Sequence, residues 1–280
     1  MTGSAGPVVV VNPTKFADLP DVRRVIAEAA EAAGCASPRF VETTEDDPGG
    51  GQTREALAAG ATLVCALGGD GTVRAVAQEL VGTGARLGLL PGGTGNLLAR
   101  NLGTPVDDLA AAVRLALTGA DRTIDVGWLC LDPSPAQMAA VRLEPASNVH
   151  VFTVMAGVGF DADIMDDAPE AIKAKAGWAA YVASAARHLA DEPFAATVGL
   201  DGTPGTPTRA RTVVVGNCGE LTGGIVLLPE ARVDDGSLDV AVLTPESLAQ
   251  WASLAGRVLA GAAADGPSIE RSRAREVVIL

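Results

Sequence analysis

The sequence predicts an α/β N-terminal domain built on a Rossmann-like parallel sheet, followed by a mostly antiparallel, β-rich C-terminal domain. In the first half, continuous apolar runs alternate with segments of helical periodicity, a pattern typical of a parallel sheet covered on both faces. Two glycine-rich loops, at 68–72 and 92–95, each follow a strand and precede a helix. From Ile124 onward, turn signals rather than helices separate the strands. We therefore predict two domains, at 1–124 and 125–280.

The elements of the first domain follow from hydrophobic periodicity and from helix start and stop signals. Val22, Ile26 and Ala29 lie on one face of the first predicted helix, which ends at Gly34. Asp108 begins the last helix of the domain. The predicted helices are 21–33, 52–59, 73–81, 97–102 and 107–117, and the predicted strands are 8–12, 40–44, 62–68 and 86–91.

The elements of the second domain are mostly strands. Turn residues separate short apolar runs, which is typical of an antiparallel sheet. A helix at 169–190 is predicted to pack its apolar face on the core, and another spans 245–261. Residues 133–148 are predicted to form a surface loop. The predicted strands are 123–131, 149–158, 195–201, 210–217, 225–228 and 237–243.

The composition predicts a soluble, cytoplasmic protein and excludes several function classes. The chain has 34 acidic and 21 basic residues and a formal charge of -13, which argues against nucleic-acid binding. Its four cysteines lack zinc-site spacing, and its two histidines have no serine or cysteine partner in a motif. No apolar run approaches the ~20 residues of a membrane span, and the N-terminus has no signal-peptide pattern.

The stretch GGDGT at 68–72 has the residue types that bind phosphate. Its glycines let backbone N–H groups approach an anion, and the following helix N-terminus favours negative charge. Thr72 is predicted to cap that helix. A tight turn in which Asp70 satisfies local amides would use the same residues. A second loop, PGGTGN at 91–96, follows the next strand, and two such loops at one sheet edge favour a phosphate-bearing ligand.

Two familiar phosphate-binding motifs are absent. None of the three lysines follows a glycine, as a Walker A loop requires, and the first strand is followed by VNPTKF instead of a Rossmann fingerprint. The carboxylate of Asp70 could hold Mg²⁺ or accept a proton from an attacking hydroxyl. Lys15, Arg74 and Arg100 lie beside the strand-end loops and could neutralise phosphate charge.

Three motifs occur together: GGDGT at 68–72, PGGTGN at 91–96, and the pair Asn12-Pro13 after the first strand. Their combination resembles the diacylglycerol kinase catalytic domain family, which has NAD kinase and 6-phosphofructokinase as distant relatives. The resemblance implies an NAD kinase/phosphofructokinase-like first domain and a β-sandwich-like second domain. It continues through IDVG at 124–127, AGVGFDA at 156–162, LPEA at 228–231 and DGSLD at 235–239.

The resemblance also implies ATP-dependent phosphorylation of a lipid hydroxyl. Asp70 is the catalytic candidate, and Lys15 and Asp125 would lie near the cleft, although Asp125 would equally suit a plain strand edge. The implied nucleotide-binding residues are Asn12, Thr44 (or Thr43), Gly68, Gly69, Asp70, Gly71, Thr72, Gly93, Thr94 and Asn96.

A structural Mg²⁺ is implied at the Asp-Asp-Gly turn of the second domain. The matching positions are Arg232 and Ser237, through carbonyl groups, and Asp235, through its carboxylate. Hard cations take such oxygen ligands. An Asp-Gly pair is also ordinary hairpin chemistry, so the same residues would serve a turn without metal.

The sequence departs from the family pattern at three places. Thr14, Lys15 and Phe16 stand where Ser-Gly is common, and Leu97 follows Asn96 where aspartate is frequent. The chain also stops at Leu280, inside an apolar strand and before the acidic turn that supplies the proposed general base in bacterial members. We therefore expect the sequence to be truncated relative to the natural protein.

These observations predict an ATP- and Mg²⁺-dependent lipid kinase. The alternatives are a kinase for a soluble acceptor, similar to NAD kinase, and a nucleotide-binding protein without turnover. The expected partner is a lipid substrate with transient membrane contact, because the acidic surface disfavours strong binding to anionic lipid. The expected location is cytoplasmic or peripheral at the membrane. The sequence is also compatible with a homodimer.

Overall fold

The computed structural model describes residues 6–140, 143–159, 193–259 and 266–280. The chain divides into two compact units. Unit 1 comprises Met1–Thr123 and Cys130–Val151, and unit 2 comprises Ile124–Leu129 and Phe152–Leu280. The helix predicted at 169–190, and the end of the AGVGFDA motif, lie outside the described residues.

Unit 1 contains the predicted parallel sheet. Its strands are β1 (Val8–Val11), β2 (Arg39–Glu42), β3 (Leu63–Gly68) and β4 (Arg86–Pro91). The order is β2-β1-β3-β4, and every pairing is parallel. All residues of β1 and β3 are buried, as expected for central strands covered on both faces.

Helices cover this sheet, and two of them begin at an aspartate cap. Asp18 accepts a hydrogen bond from the Asp21 N–H, and Asp108 accepts one of 2.8 Å from the Ala111 N–H. Gly34, at φ 70°, follows the first helix as predicted. The helices are α1 (Leu19–Ala32), α2 (Gly50–Ala58), α3 (Asp70–Leu80), α4 (Leu97–Asn101), α5 (Leu109–Thr118) and α6 (Pro135–Met138), with a short 3-10 helix at Pro13–Lys15.

The prediction that Thr72 caps α3 is wrong. The helix begins at Asp70, and Gly69 occupies the N-cap position with extended backbone. The helix therefore starts directly at the end of β3, and Thr72 is buried in its first turn. The Thr72 hydroxyl oxygen lies 2.8 Å from where a Cβ on Gly68 would be, so this hydroxyl packs on the strand end instead.

Unit 2 is antiparallel, as predicted. The two strands that carry the chain between the units are β5 (Gly127–Cys130) and β6 (Val149–Phe152). The others are β7 (Met155–Gly159), β8 (Phe194–Leu200), β9 (Pro207–Ala210), β10 (Thr212–Gly216), β11 (Glu220–Leu221), β12 (Ile225–Val226), β13 (Leu238–Leu243), β14 (Ile269–Ala274) and β15 (Val277–Ile279). The largest sheet has the order β14-β13-β10-β7, and a second has the order β15-β8-β9.

The central strands of unit 2 are buried on both faces. Val214 packs in one hydrophobic cluster with Trp251 of α7 (Leu248–Leu259), whereas its neighbours Val213 and Val215 pack in another. Successive side chains of a strand point to opposite faces, so β10 has a packed layer on each side. No described helix in either unit is long and apolar enough to cross a membrane.

Several predicted boundaries in unit 2 differ from the structure. The run 149–158 is two strands, β6 and β7, because the carbonyls of Thr153 and Val154 accept hydrogen bonds from Asn217 instead of a neighbouring strand. The run 210–217 likewise divides at Arg211 into β9 and β10. The predicted surface loop at 133–148 contains the short helix α6. Strand β14 was not predicted.

Candidate functional site

The two glycine-rich loops lie side by side at one edge of the unit 1 sheet. Strands β3 and β4 are neighbours, and their last residues, Gly68 and Pro91, are partners in register. The Gly92 N–H donates a hydrogen bond of 3.0 Å to the Gly68 carbonyl. The prediction that the loops share the carboxyl edge of the sheet, where ligands of open parallel sheets bind, is therefore confirmed by the strand order.

Asp70 links the first loop to the second. Its Oδ1 accepts a hydrogen bond of 2.6 Å from the N–H of Leu97, the first residue of α4. This N–H is one of the donors that a helix start leaves without an internal partner. The other carboxylate oxygen faces Gly95, where a Cβ would lie 2.6 Å from Oδ2. Asp70 thus holds the two loops together, a contact that the sequence analysis did not predict.

The glycines of the two loops serve different purposes. A Cβ on Gly93 would lie 2.6 Å from the Gly69 Cα, so the close approach of the loops requires glycine there. Gly71 is exposed at the start of α3, and an added Cβ would have no atom within 4 Å. The N-terminal turn of α3 is therefore open above Gly71, and a phosphate group could reach its backbone N–H groups.

Asn96 supports the second loop from within. It adopts a left-handed backbone conformation, with φ 49° and ψ 44°. Its side-chain Oδ1 accepts from the Gly93 N–H at 3.0 Å, and its Nδ2 donates to the Gly93 carbonyl at 2.7 Å. The side chain is buried, whereas Thr94 at the tip of the loop is exposed. Thr94 is thus the more accessible of the two predicted contacts.

Asn12 and Thr44 lie at the ends of the neighbouring strands. The Asn12 N–H donates to the Leu67 carbonyl at 2.9 Å. The Asn12 side chain caps the 3-10 helix by accepting hydrogen bonds from the N–H and hydroxyl of Thr14. The Thr44 hydroxyl accepts from the Asp47 N–H at 3.1 Å. Both predicted nucleotide contacts therefore share the sheet edge with the glycine loops, and both also make local turn contacts.

The predicted cations are arranged around the same edge. Arg100 donates from Nε to the Gly95 carbonyl at 2.8 Å, which fixes its guanidinium at the second loop. Arg74 lies on the exposed face of α3, with Nη1 3.4 Å from the Gln78 Oε1. Lys15 is exposed at the end of its 3-10 helix. The open turn above Gly71 together with this cationic rim fits a phosphate-bearing ligand.

Asp125 is held firmly within unit 2. Its N–H donates to the Val233 carbonyl at 2.6 Å, and its Oδ2 accepts from the Gly236 N–H at 2.7 Å. The Asn217 side chain, which is 1% exposed, donates to the Asp125 carbonyl at 2.9 Å. Asp125 therefore supports the segment 232–239, which we call the acidic turn. Asn217 was not among the predicted residues.

The residues predicted to bind Mg²⁺ lie in the acidic turn. Asp235 accepts from the Ser237 N–H through Oδ1 at 3.1 Å, and its Oδ2 lies 3.4 Å from the Arg273 Nη1. Arg232 lies 4.0 Å from Asp234. Within the described residues, no cluster of three histidine, cysteine or acidic side chains could hold a metal ion. Because the Arg273 guanidinium faces Oδ2, a metal ion bound to the Asp235 carboxylate would lie beside a fixed positive charge.

Asp239 follows the acidic turn and faces the same arginine. Its Oδ2 is buried and lies 3.6 Å from the Arg273 Nε. Burial raises the pKa of the Asp239 carboxyl, the Arg273 charge opposes this, and the nearby Asp235 carboxylate adds to the rise. Arg273 was not among the predicted residues, because ERSRA at 270–274 is polar at four of its five positions and lacks the apolar–polar alternation that indicates a strand.

Comparison with solved structures identifies the class of fold. A diacylglycerol kinase from Bacillus anthracis str. Sterne superposes with a TM-score of 0.70 at 22% identity, covering 98% of this chain and 85% of that one. A second structure from the same organism gives a TM-score of 0.76 at 23% identity, covering 100% and 85%. The two units together therefore have the fold of these kinases.

Sequence comparison then identifies the family. Residues 7–129 match the diacylglycerol kinase catalytic domain, and residues 153–280 match the YegS C-terminal NAD kinase beta sandwich-like domain. A Pseudomonas aeruginosa protein named "Probable lipid kinase YegS-like" is 35% identical, over 86% of this chain and 74% of its own length. A Mycobacterium tuberculosis diacylglycerol kinase is 29% identical, over 79% and 68%. The chain belongs to the diacylglycerol kinase catalytic domain family, as the motifs predicted.

Proposed function

We propose that this protein transfers the γ-phosphoryl group of ATP to a hydroxyl group of a lipid such as diacylglycerol. Membership of the lipid and diacylglycerol kinase family supports a phosphotransferase. The observation that carries the proposal is the pair of glycine loops, joined by the bond from Leu97 to Asp70 and open above Gly71. Phosphoryl transfer depends mainly on positioning and charge neutralisation, and this sheet edge offers groups for both.

Each residue of the sheet edge has a proposed part. The N–H groups of 69–72, at the start of α3, would bind phosphate oxygens. Thr94 would contact them from the second loop, and Arg100 would neutralise charge that spreads over the transferred group. Asn12 and Thr44 would border the nucleotide. ATP supplies the phosphoryl group when bound, and the Mg²⁺ we propose is the ion that accompanies its phosphates.

Asp70 has two proposed parts. Through Oδ1 it holds the loops at the spacing that the phosphates need. Its second oxygen, on the side of Gly95, would accept a proton from the lipid hydroxyl or bind the Mg²⁺ of the nucleotide. The structural part depends on an acceptor oxygen, whereas the chemical part depends on negative charge, so Asp70→Asn separates them.

We further propose that the lipid is met during transient contact with a membrane. The formal charge of -13 disfavours strong attraction to anionic lipid headgroups. The same charge would disfavour nucleic-acid partners, and we propose a cytoplasmic location. Flotation with neutral vesicles that contain diacylglycerol, compared with vesicles rich in phosphatidylserine, would measure this preference.

A labelling assay tests the proposed activity. The protein is incubated with radiolabelled ATP and Mg²⁺, with diacylglycerol in detergent micelles in one reaction and NAD in another. We expect label in the organic phase of the first reaction, and we expect Asp70→Asn to abolish it. Label only in NAD would replace the lipid with a soluble acceptor. ATP binding without transfer to either acceptor would leave a nucleotide-binding protein without this activity.

A further inference from the structure

We propose that Arg273 is the built-in cation of the acidic turn, so that residues 232–239 keep their conformation in this chain without a bound metal ion. The proposal concerns unit 2 alone and does not rest on the proposed kinase activity. It places a side chain where the family resemblance implied a divalent cation.

The guanidinium of Arg273 makes three polar contacts around the acidic turn. Nη2 donates a hydrogen bond of 2.7 Å to the Glu230 carbonyl, just before the turn. Nη1 lies 3.4 Å from the Asp235 Oδ2, and Nε lies 3.6 Å from the Asp239 Oδ2, both at ion-pair distance. A planar guanidinium presents donors in several directions at once, which the compact ammonium of lysine does not.

Strand pairing places Arg273 in this position. Arg273 on β14 is the direct antiparallel partner of Asp239 on β13, and opposite charges in such pairs attract across a sheet. Two residues earlier, Arg271 donates from Nε to the Leu227 carbonyl at 3.1 Å. The two arginines therefore bind the chain just before the acidic turn at two points, and Arg273 also faces the carboxylates of Asp235 and Asp239.

A metal ion would compete with this arrangement. The carboxylate of Asp235 is the single side-chain ligand in the implied Mg²⁺ site, and its two oxygens face the Ser237 N–H and Arg273. Mg²⁺ requires close, near-octahedral oxygen ligands. A divalent ion bound to Asp235 would lie beside the positive charge of Arg273, and the two would share the Asp235 carboxylate. Either a divalent ion or the Arg273 guanidinium can therefore balance the Asp235 carboxylate, and in this structure the guanidinium does so.

Metal binding without nucleotide provides the first test. Free Mn²⁺ is measured by electron paramagnetic resonance during titration of the wild-type protein and of Asp235→Asn. We expect the same Mn²⁺ binding in both, since the Arg273 guanidinium already balances the Asp235 carboxylate. We also expect millimolar Mg²⁺ to leave the thermal unfolding midpoint of the wild type unchanged. A Mn²⁺ ion that binds the wild type, is displaced by Mg²⁺ and is lost in Asp235→Asn would overturn the proposal.

Removal of the arginine provides the second test. In Arg273→Met the carboxylates of Asp235 and Asp239 lose their counter-charge, so we expect a lower unfolding midpoint, partly restored by Mg²⁺. We also expect Mn²⁺ affinity to rise by about tenfold or more, equivalent to about 1.4 kcal/mol. Arg273→Lys keeps the charge without the planar donors and should be intermediate. An Arg273→Met protein with wild-type stability and no gain in Mn²⁺ binding would contradict the proposal.

Arg271→Met is the matched control. It makes the same replacement on the same strand and also removes a hydrogen bond to a carbonyl. We expect it to lower the unfolding midpoint without raising Mn²⁺ affinity, because the direct strand partner of Arg271 is Ala241, whereas that of Arg273 is Asp239. If Arg273→Met does not fold, the comparison of wild type with Asp235→Asn still decides the proposal, and it does so independently of any assay of phosphoryl transfer.

Discussion

The open turn above Gly71 makes Gly71→Ala a test in which stability and nucleotide binding should change in opposite directions. Gly71 is exposed in the first turn of α3, its φ is not positive, and an added Cβ would meet no atom within 4 Å. The fold should therefore accept alanine. A helical glycine costs about 0.5–1 kcal/mol relative to alanine, so the free energy of unfolding should rise by up to that amount.

Binding of ATP should weaken in the same variant. The methyl group would extend into the space from which a phosphate oxygen would approach the N–H groups of the loop, and such contacts need about 2.9 Å between nitrogen and oxygen. Hydrogen bonds to charged groups contribute about 1.5–3 kcal/mol each. Loss of one such bond would raise the Kd of ATP by about 10- to 150-fold.

Isothermal titration calorimetry with ATP and Mg²⁺ measures the affinity, and urea denaturation measures the stability. Gly256→Ala is the matched control, because Gly256 is exposed in α7 and a Cβ there would also meet no atom within 4 Å. It should gain similar stability with an unchanged Kd. A stable Gly71→Ala protein that binds ATP like the wild type would refute the phosphate-binding role of this turn, and one that fails to fold would refute the steric reasoning.

Two further variants test single contacts. Asp70→Ala removes the acceptor at the start of α4 and should lower the free energy of unfolding by about 1 kcal/mol, whereas Asp70→Asn keeps an acceptor oxygen and should stay near wild type in urea denaturation. Equal losses in both would contradict the structural role of that bond. Burial raises the folded-state pKa of Asp239 above its unfolded value of about 3.9. Between these two pKa values the native state binds more protons than the unfolded state. Wild-type stability should therefore fall as pH rises from the unfolded-state pKa through the folded-state pKa. Asp239→Asn should lack this component, so its free energy of unfolding relative to wild type should increase from about pH 4 upward; parallel urea midpoints across the range would show that Asp239 does not contribute.

The first unit was predictable from local patterns because its signals are strong and repeated. The valines of 8–11 and the run at 63–68 are buried throughout, as uninterrupted apolar strands should be. In unit 2 the patterns were weaker. Strand β14 has the sequence IERSRA, which is apolar only at its two ends, and was not predicted. The break between β6 and β7 depends on hydrogen bonds to Asn217, some 60 residues later in the chain, which no local window contains.

The sequence by itself determined the fold class, the family and the placement of two glycine loops after adjacent strands. These follow from periodicity and from short motifs, which are properties of neighbouring residues. The tertiary structure decided what the functional candidates contact. Asp70 bonds to a residue 27 positions away, and Asp125 to one 111 positions away. Arg273 meets Asp235 and Asp239 because β13 and β14 pair in one register. Strand order and register arise from packing of the whole chain, so only the folded protein shows that the acidic turn already holds a cation of its own.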